Sequence, residues 1–297
     1  TSLTALRVAE LAHEAGIPRG VFQVLPGDGP SVGEPIGRHM NVDMVSFTGS
    51  TETGKHFLRY AADSNMKKIV LECGGKNPAV VFDDAENLDH VAEHVVNAAF
   101  WNAGQNCSAA SRLIVHKTIK APLMARIEAR LRDWKVGDPL DPGIHIGALI
   151  DAEHCKKVRK FLKNQDKGKG PFVSPVIYEV SADDARAKDE IFGPILSVIE
   201  VATNDEAVAI ANRTEYGLAA SVFTANTRQA IRAARDIQAG TVTVNCYGEG
   251  DISTPFGGYK QSGFGGRDNG LHAHDQFTEL KTIWIDLTDP ADGDNIG

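Results

Sequence analysis

Two short apolar runs flank an acid and a pair of glycines in the stretch Ile69-Val-Leu-Glu-Cys-Gly-Gly-Lys-Asn-Pro-Ala-Val-Val-Phe82. Each run has the length and composition of a buried strand, and candidate helices at 53–62 and 88–103 lie before and after the pair. Strands that alternate with helices along a chain predict a parallel sheet of the doubly wound type. We therefore expect an α/β fold.

The spacing of apolar residues extends this alternation over most of the chain. It predicts helices at 1–15, 32–39, 53–62, 88–103, 122–134, 155–162, 205–212 and 228–237. It predicts strands at 21–25, 44–47, 69–71, 79–82, 113–116, 196–201 and 241–245. Residues 278–287 also alternate as a strand does, and we expect the polar tail at 289–297 to be loose.

Length and charge restrict the class of protein. The chain has 297 residues, enough to bury a substantial core, and a formal net charge of -8. Because Lys and Arg form no cluster, neither nucleic acid nor an anionic membrane is expected as a partner, and a small charged metabolite fits better. The sequence shows no bilayer-spanning run and no signal peptide, so we expect a cytoplasmic protein.

The cysteines indicate neither disulfides nor a metal site. Cys73, Cys107, Cys155 and Cys246 are scattered, without CxxC spacing or the Cys/His pattern of a zinc site. The ten histidines show no ligand-like spacing either. We expect reduced thiols and no bound metal.

Glu72 and Cys107 are the residues whose surroundings indicate chemistry. Glu72 ends an apolar strand, and Cys107 lies among small residues after the helical stretch 88–103. Reactive groups are commonly exposed where an element ends, and a thiol with a carboxylate suggests a nucleophile and its general base. A lone cysteine is more often inert and buried, and a strand-end glutamate more often solvated. The hypothesis therefore depends on the pair and its flanking motifs.

Five ordered motifs carry a resemblance to a known family. Glu72 lies in Leu-Glu-Cys-Gly-Gly-Lys, Cys107 lies in Gly-Gln-Asn-Cys, and three further motifs occupy 47–54, 190–194 and 255–263. In content and order they resemble motifs of the aldehyde dehydrogenase superfamily. The match extends from the first residue to about residue 287, which covers nearly all of the chain.

The resemblance implies two domains and an assembly segment. Residues 1–74 would form the later half of a Rossmann-like, parallel-sheet coenzyme domain, and residues 75–274 an α/β catalytic domain. Residues 275–288 would be an oligomerisation strand that extends a neighbouring subunit's sheet, so a homo-oligomer (dimer or tetramer) is implied. An ordinary edge strand is an equal alternative for this last segment.

The resemblance also implies a reaction. Cys107 would add to an aldehyde carbonyl, and loss of hydride to a nicotinamide would leave a thioester. Glu72 would activate the water that hydrolyses this thioester to the carboxylate. NAD is the expected cofactor, and NADP is not excluded because the selecting residues lie upstream in the family pattern. The branch that acylates coenzyme A fits less well, because it tends to lack this base.

The same resemblance assigns residues to the cofactor. Gly49 and Gly54 bracket a helix start whose N–H groups can face a diphosphate, although their spacing departs from the dinucleotide fingerprint. In the family these glycines lie along the nicotinamide side, and Ser50 contacts the diphosphate. Glu190 matches the acid that binds the nicotinamide ribose hydroxyls, with Phe192 packing nearby. Taken alone, the glycine string is a weak signal, and for the string at 190–194 an ordinary turn is the better explanation.

Four residues are candidates for binding the aldehyde. Trp101 matches the tryptophan of aminoaldehyde-oxidising members, where an aromatic face meets a cationic amine. Phe256 matches an aromatic wall of the same tunnel, and the acids Glu249 and Asp251 would attract a positive charge. A packing tryptophan and a solvated acidic turn are equal alternatives. The chain most resembles γ-glutamyl-γ-aminobutyraldehyde and related aminoaldehyde dehydrogenases.

Two departures from the family pattern leave other functions open. The family's N-terminal portion is absent from the sequence, and the connection at 164–170 is shorter than usual. Half of a parallel sheet is not expected to stand alone, so a non-catalytic fragment of such an enzyme is one alternative. A cofactor-independent thiol esterase that uses Cys107 and Glu72 is another.

Overall fold

The computed structural model describes residues 2–164, 170–248 and 250–287, and in that part of the chain the fold is α/β as predicted. The helices are α1 (Ser2–Glu14), α2 (Glu34–Arg38), α3 (Thr51–Ala62), α4 (Leu88–Phe100), α5 (Lys117–Leu131), α6 (Ala152–Arg159), α7 (Ala185–Lys188), α8 (Asn204–Asn212), α9 (Thr227–Asp236) and α10 (His272–Asp275). The strands are β1 (Met44–Thr48), β2 (Lys68–Glu72), β3 (Pro78–Val81), β4 (Arg112–His116), β5 (Val176–Glu179), β6 (Ile195–Val201), β7 (Tyr216–Gly217), β8 (Ala219–Phe223), β9 (Thr241–Val244), β10 (Tyr259–Lys260) and β11 (Gly263–Phe264). A π-helical turn at Gly29–Gly33 and a 3₁₀ turn at Trp101–Gly104 complete the helical segments.

The larger sheet is parallel and covered on both faces. Its six strands run in the order β5-β6-β4-β3-β8-β9. Val81 and Leu113 pack with α4 and α5 on one face, whereas Val80, Ile114 and Val222 pack with residues of α8 and α9 on the other. Because successive strand residues point to opposite faces, strands buried on both sides need a continuous apolar run. This arrangement is the predicted doubly wound sheet.

A smaller sheet carries the first part of the chain. Strands β1 and β2 pair in parallel, with Phe47 opposite Leu71, and the short β11 adds to β2 in the antiparallel direction. Helix α3 packs Phe57 against Val45 and Ile69. Because β11 comes from residues 263–264, the chain returns to this sheet late. The proposed division into domains at residue 74 stays a prediction.

Several predicted elements differ from the structure. The strand predicted at 21–25 is wrong: the described chain offers it no ladder partner, and Val21 and Leu25 are exposed. The helix predicted at 32–39 is a π-helical turn followed by the short α2. The helix predicted at 88–103 ends at Phe100, because Asn102 and Ala103 adopt left-handed backbone angles.

The segment 278–287 forms no ladder with the rest of the described chain. Its apolar side chains are exposed, among them Leu280, Ile283 and Trp284, the last with 90% of its surface accessible. The predicted oligomerisation strand therefore stays a prediction. The predicted loose tail at 289–297 and the short connection at 165–169 lie outside the described residues.

The described residues contain neither a membrane-spanning helix nor a metal-binding group of side chains. None of their helices combines the length and apolar character needed to cross a membrane. None of their His, Cys, Asp and Glu side chains form a group of three or more suited to hold a metal ion.

Asn77 connects the two halves of the larger sheet to the loop that carries Cys107. Its Nδ2 donates hydrogen bonds to the Cys107 carbonyl at 2.7 Å and to the Ala109 carbonyl at 3.1 Å. Its Oδ1 accepts a hydrogen bond from the Ala219 N–H at 3.0 Å, at the start of β8. Because Asn77 is buried, water cannot replace these partners.

We predict that Asn77→Ala lowers the free energy of unfolding by about 2–4 kcal/mol, because three hydrogen bonds are lost in the interior, although the Ala109 carbonyl keeps the one from the Ser111 N–H. Unfolding in urea measures the change. The matched control is Asn41→Ala at an exposed position, for which a change below about 0.5 kcal/mol is expected. Equal effects of the two substitutions would contradict the role given to Asn77.

Candidate active site

A cavity of about 470 Å³ opens where the ends of the two sheets meet. Its lining consists of Thr48, Gly49, Ser50, Glu72, Cys73, Gly74, Gln105, Asn106, Cys107, His154, Glu190 and Phe192. The two predicted catalytic residues, Cys107 and Glu72, line the same cavity. Four of the five predicted cofactor residues line it with them. Residues from distant parts of the sequence are thus assembled in one place.

The Glu72 carboxylate is buried at the end of β2, and its Oε2 has no hydrogen-bond partner in the described chain. Burial, and then the negative charge of Asp268, raise the pKa of Glu72 from 4.5 to about 7. The Arg267 charge and the Gly258 N–H act in the opposite direction. A carboxylate whose pKa lies near neutrality suits a general base.

Cys107 lies on a loop with an unusual backbone. Asn102, Ala103 and Gly104 have φ angles of 53°, 58° and 70°, so the chain reverses sharply after α4. Cys107 is half-buried, and its Sγ lies 3.8 Å from Asn106 Oδ1, which accepts its hydrogen bond. A strained turn of this kind is common where a reactive group must be presented at a fixed position.

Glu190 reaches the cavity from the turn before β6. Its Oε1 accepts a hydrogen bond from the Gly75 N–H at 3.0 Å, and it packs so closely on Gly74 that a Cβ there would overlap the carboxylate. This close approach explains why the motif needs glycine at position 74, whereas a Cβ on Gly75 would meet the Asn77 side chain and the Cys107 carbonyl. Burial raises the pKa of Glu190, against the effects of the Gly75 N–H and the Lys76 charge.

Lys76 forms a buried basic group behind the cavity. Only 1% of its surface is accessible, and Nζ has no hydrogen-bond partner in the described chain. Burial, and then the positive charge of Arg112, lower the pKa of Lys76 to about 7, whereas Glu190 acts in the opposite direction. Arg112 is itself fixed by donating to the carbonyls of Lys76, Ile210 and Ala211.

Phe192 and His154 close one side of the cavity. Phe192 has a φ of 55°, a strained angle for an aromatic residue, and its carbonyl lies 2.6 Å from His154 Nε2. The two rings meet edge to face, with centroids 6.1 Å apart. Sequence reasoning missed His154, because no motif surrounds it. It also missed Gln105 and Asn106, although both lie inside the motif of Cys107.

The start of α3 separates this cavity from a second one. Ser50 caps the helix by accepting a hydrogen bond from the Thr53 N–H at 3.2 Å. The second cavity, of about 600 Å³, is lined by Gly27, Asp28, Gly29, Pro30, Val32, Gly33, Glu34, Phe47, Thr53, His56, Phe57 and Tyr60. Gly54 lines neither cavity: it is buried in α3 against Cys73, where a Cβ would lie 3.0 Å from Sγ. Its cofactor role stays a prediction.

The three candidate substrate residues that the structure describes do not line the cavity. Trp101 lies on the 3₁₀ turn with 60% of its surface accessible, and Phe256 pairs its backbone with Asp268. The Asp251 carboxylate is exposed and accepts a hydrogen bond from the Ser253 N–H at 2.7 Å. Glu249 lies outside the described residues.

Comparison with known proteins defines the class. The model of the aldehyde dehydrogenase family matches residues 1–283, and the chain belongs to this family. The predicted resemblance is therefore confirmed.

Individual relatives agree with this assignment. The chain is 60% identical to an aminoacetaldehyde dehydrogenase of Pseudomonas aeruginosa, over 97% of this chain and 60% of that protein. It is 41% identical to the NADP/NAD-dependent aldehyde dehydrogenase PuuC of Escherichia coli, over 96% of this chain and 60% of that protein. A solved indole-3-acetaldehyde dehydrogenase in complex with NAD⁺ superimposes with a TM-score of 0.91, at 46% identity over 96% of this chain and 60% of that one. The chain thus spans about 60% of the length of these relatives.

Gly104 offers a direct test of the geometry around Cys107. A Cβ on Gly104 would overlap the Gly193 carbonyl, in the turn that positions Glu190. We predict that Gly104→Ala displaces the nucleophile loop, destabilises the fold and changes the rate at which iodoacetamide alkylates Cys107. Peptide mass spectrometry measures this rate.

Gly143→Ala is the matched control. Gly143 also has a positive φ, of 83°, but nothing lies within 4 Å of an added Cβ. This substitution isolates the backbone strain, of about 1–2 kcal/mol, from the steric contact. If both variants lower stability equally and leave alkylation of Cys107 unchanged, the contact with Gly193 does not position the loop.

Proposed function

We propose that the protein oxidises an aldehyde to its carboxylate with NAD as the hydride acceptor. One observation carries the proposal: the thiol of Cys107 and the buried carboxylate of Glu72, with its pKa near 7, line one cavity. A nucleophile and a base in one water-accessible site supply the two protein groups that the reaction needs.

The chain's residues perform three steps. The Cys107 thiolate adds to the aldehyde carbon, forming a C–S bond and an alkoxide. When bound, the nicotinamide accepts the hydride that leaves this carbon, so the carbon is oxidised and a thioester remains on Cys107. Glu72 then removes a proton from water, and the water oxygen attacks the thioester. Cleavage of the C–S bond restores the thiolate and releases the carboxylic acid, which loses the remaining proton of the water to solvent and becomes the carboxylate.

The residues present fit a dinucleotide. Ser50 lines one cavity and Thr53 the other, so the start of α3 lies between two spaces of nucleoside size. The helix N-terminus favours a negatively charged diphosphate between them. Glu190, held by the Gly75 N–H, would accept hydrogen bonds from ribose hydroxyls beside the nicotinamide. Binding of NAD⁺ by a similar dehydrogenase supports this assignment, and the relative named as NADP/NAD-dependent keeps NADP open.

An aminoaldehyde is the proposed substrate class. The 60% identity to an aminoacetaldehyde dehydrogenase and the net charge of -8 support a cationic substrate. Trp101, Phe256, Glu249 and Asp251 stay the candidate residues for its amine. Comparing 3-aminopropanal with butanal, which has a methyl in place of the amine, tests this choice. Equal kcat/KM values would contradict it. The cytoplasmic location stays a prediction.

We predict that Glu72→Gln, in the natural polypeptide that carries these residues, lowers steady-state NADH formation by about 10²–10⁴-fold. A burst of about one NADH per Cys107 remains, because thioester formation precedes the step that needs the base. Stopped-flow absorbance measures both phases. Cys107→Ala should remove the burst, whereas Cys246→Ala, at an exposed cysteine, should leave it. Ester hydrolysis without aldehyde-dependent NADH formation would instead indicate the thiol esterase.

The pH dependence provides a control for this prediction. Glu72 is a base only when ionised, so the steady-state rate should rise with pH through about 7 and then level off. Its folded pKa lies above the 4.5 of the unfolded chain. The folded state therefore keeps a proton that the unfolded state loses between these values, and stability declines as pH rises across this window. Glu72→Gln should remove the dependence of the rate and reduce the decline in stability, to which Glu190 also contributes because its pKa is raised by burial. A rate independent of pH in the unsubstituted protein would contradict the assignment.

We also propose that segment 278–287 adds as a strand to the sheet of a second copy, forming a homo-oligomer. Its exposed apolar residues, without a ladder partner in the described chain, support this. Successive N–H groups of a strand point to opposite sides. Hence one of the substitutions Thr282→Pro and Ile283→Pro must remove a ladder hydrogen bond.

We predict that one of these two variants has a lower mass in light scattering than the unsubstituted protein. The other serves as its matched control. A monomeric unsubstituted protein, or two variants with unchanged mass, would overturn the proposal.

A further inference from the structure

Tyr247 makes hydrogen bonds to both residues that flank Cys107. Its hydroxyl lies 3.0 Å from Asn106 Nδ2, which donates to it, and 3.2 Å from Ser108 Oγ. Asn106 Nδ2 also donates to Ser108 Oγ at 3.0 Å, so the three polar groups form a closed triangle. Ser108 has only 1% of its surface accessible. Water is therefore a poor substitute for the Tyr247 hydroxyl at this position.

The Ser108 N–H sets the orientation of the Asn106 amide, and the triangle holds the amide in place. Nδ2 donates to Tyr247 and Ser108, and Oδ1 is directed the other way, where it accepts from the Cys107 thiol at 3.8 Å and from the Ser108 N–H at 3.4 Å. An amide rotated by half a turn could accept from the two hydroxyls, but its Nδ2 would then face the Ser108 N–H, a group that can only donate. The hydroxyl also polarises the amide, which strengthens Oδ1 as an acceptor.

Tyr247 is itself tied to the helix that leads to the nucleophile loop. Its N–H donates to His94 Nδ1 at 3.1 Å, and His94 packs edge to face on His90 with ring centroids 4.3 Å apart. His90 Nε2 lies 3.0 Å from the Asn245 carbonyl. Both histidines belong to α4, which leads directly into the nucleophile turn. The loop 245–247 and the start of this turn are therefore held by the same helix.

We infer that Tyr247 is a positioning residue for Cys107, acting through the amide of Asn106 to hold the resting sulfur as the neutral thiol. A hydrogen bond accepted from S–H stabilises the protonated form, so the thiolate forms at higher pH than it would without it. The inference rests on the proposed function of Cys107 as nucleophile.

The test is the pH dependence of Cys107 alkylation by iodoacetamide in the natural polypeptide, followed by peptide mass spectrometry. In Tyr247→Phe the amide loses one partner, so the midpoint should shift to lower pH by ~0.5–1 unit. Alkylation near neutral pH should become about threefold or more faster, in line with that shift. An unchanged or higher midpoint would overturn the inference.

Tyr178→Phe is the matched control. The Tyr178 hydroxyl is also hydrogen-bonded, accepting from the Lys163 N–H at 2.9 Å, but Tyr178 lies on β5 and does not line the cavity. The midpoint for Cys107 should not move in this variant. If it moves as far as in Tyr247→Phe, loss of a buried hydroxyl acts through general stability and the inference fails.

A double-mutant cycle tests the route through Asn106. If Tyr247 acts on the thiol by orienting this amide, Tyr247→Phe has no further effect in an Asn106→Ala background. The same additional shift in both backgrounds would overturn the inference. If thermal melting shows that Tyr247→Phe does not fold, Ser108→Ala is the replacement variant, because it removes another hydroxyl of the triangle. It should shift the midpoint in the same direction.

Failure of this inference and failure of the proposed function give different results. If Cys107→Ala still forms NADH from aldehyde, the proposed function is wrong. If Cys107→Ala is inactive but Tyr247→Phe alkylates as the unsubstituted protein does, only the positioning role of Tyr247 is wrong.

Discussion

The three hydrogen bonds of the buried Asn77 side chain are the constraint on which the site depends. They hold the Cys107 loop at the start of β3 and fix it to the start of β8. The loop also contacts the Gly193 turn through Gly104 and Tyr247 through Asn106, and Asn77 ties it directly to the rigid sheet. The nucleophile is thus positioned by a parallel sheet whose strands are buried on both faces, and not by the loop alone.

The second requirement is the burial of charge at the meeting point of the sheets. Glu72 precedes the paired glycines and Glu190 packs against them, and burial raises the pKa of each. Lys76 behind them has a pKa lowered by burial. Buried ionisable groups cost stability unless they are paired, so their concentration around one cavity indicates that the sequence retains them for chemistry.

Motifs with local signals were predictable from the sequence, whereas long-range contacts were not. Glu72, Cys107 and Glu190 were assigned from short strings, and the structure brings them to one cavity. Strand β8 was missed because its alanines give a weak strand signal. Residues 21–25 were wrongly predicted as a strand, because an apolar run does not reveal whether another strand is available to pair with it. His154 and Tyr247 reach the site only through folding, since each is more than 40 residues from Cys107 in the sequence.

The central claim is that Cys107 carries the substrate carbon as a thioester that Glu72-activated water releases. Mass spectrometry of the Glu72→Gln variant, quenched in acid after mixing with an aldehyde and NAD, tests it most directly. The expected result is an added acyl group, two hydrogens lighter than the aldehyde adduct, on the peptide that contains Cys107. An unmodified Cys107 peptide in a variant that has formed NADH, or an acyl group on another cysteine, would contradict it.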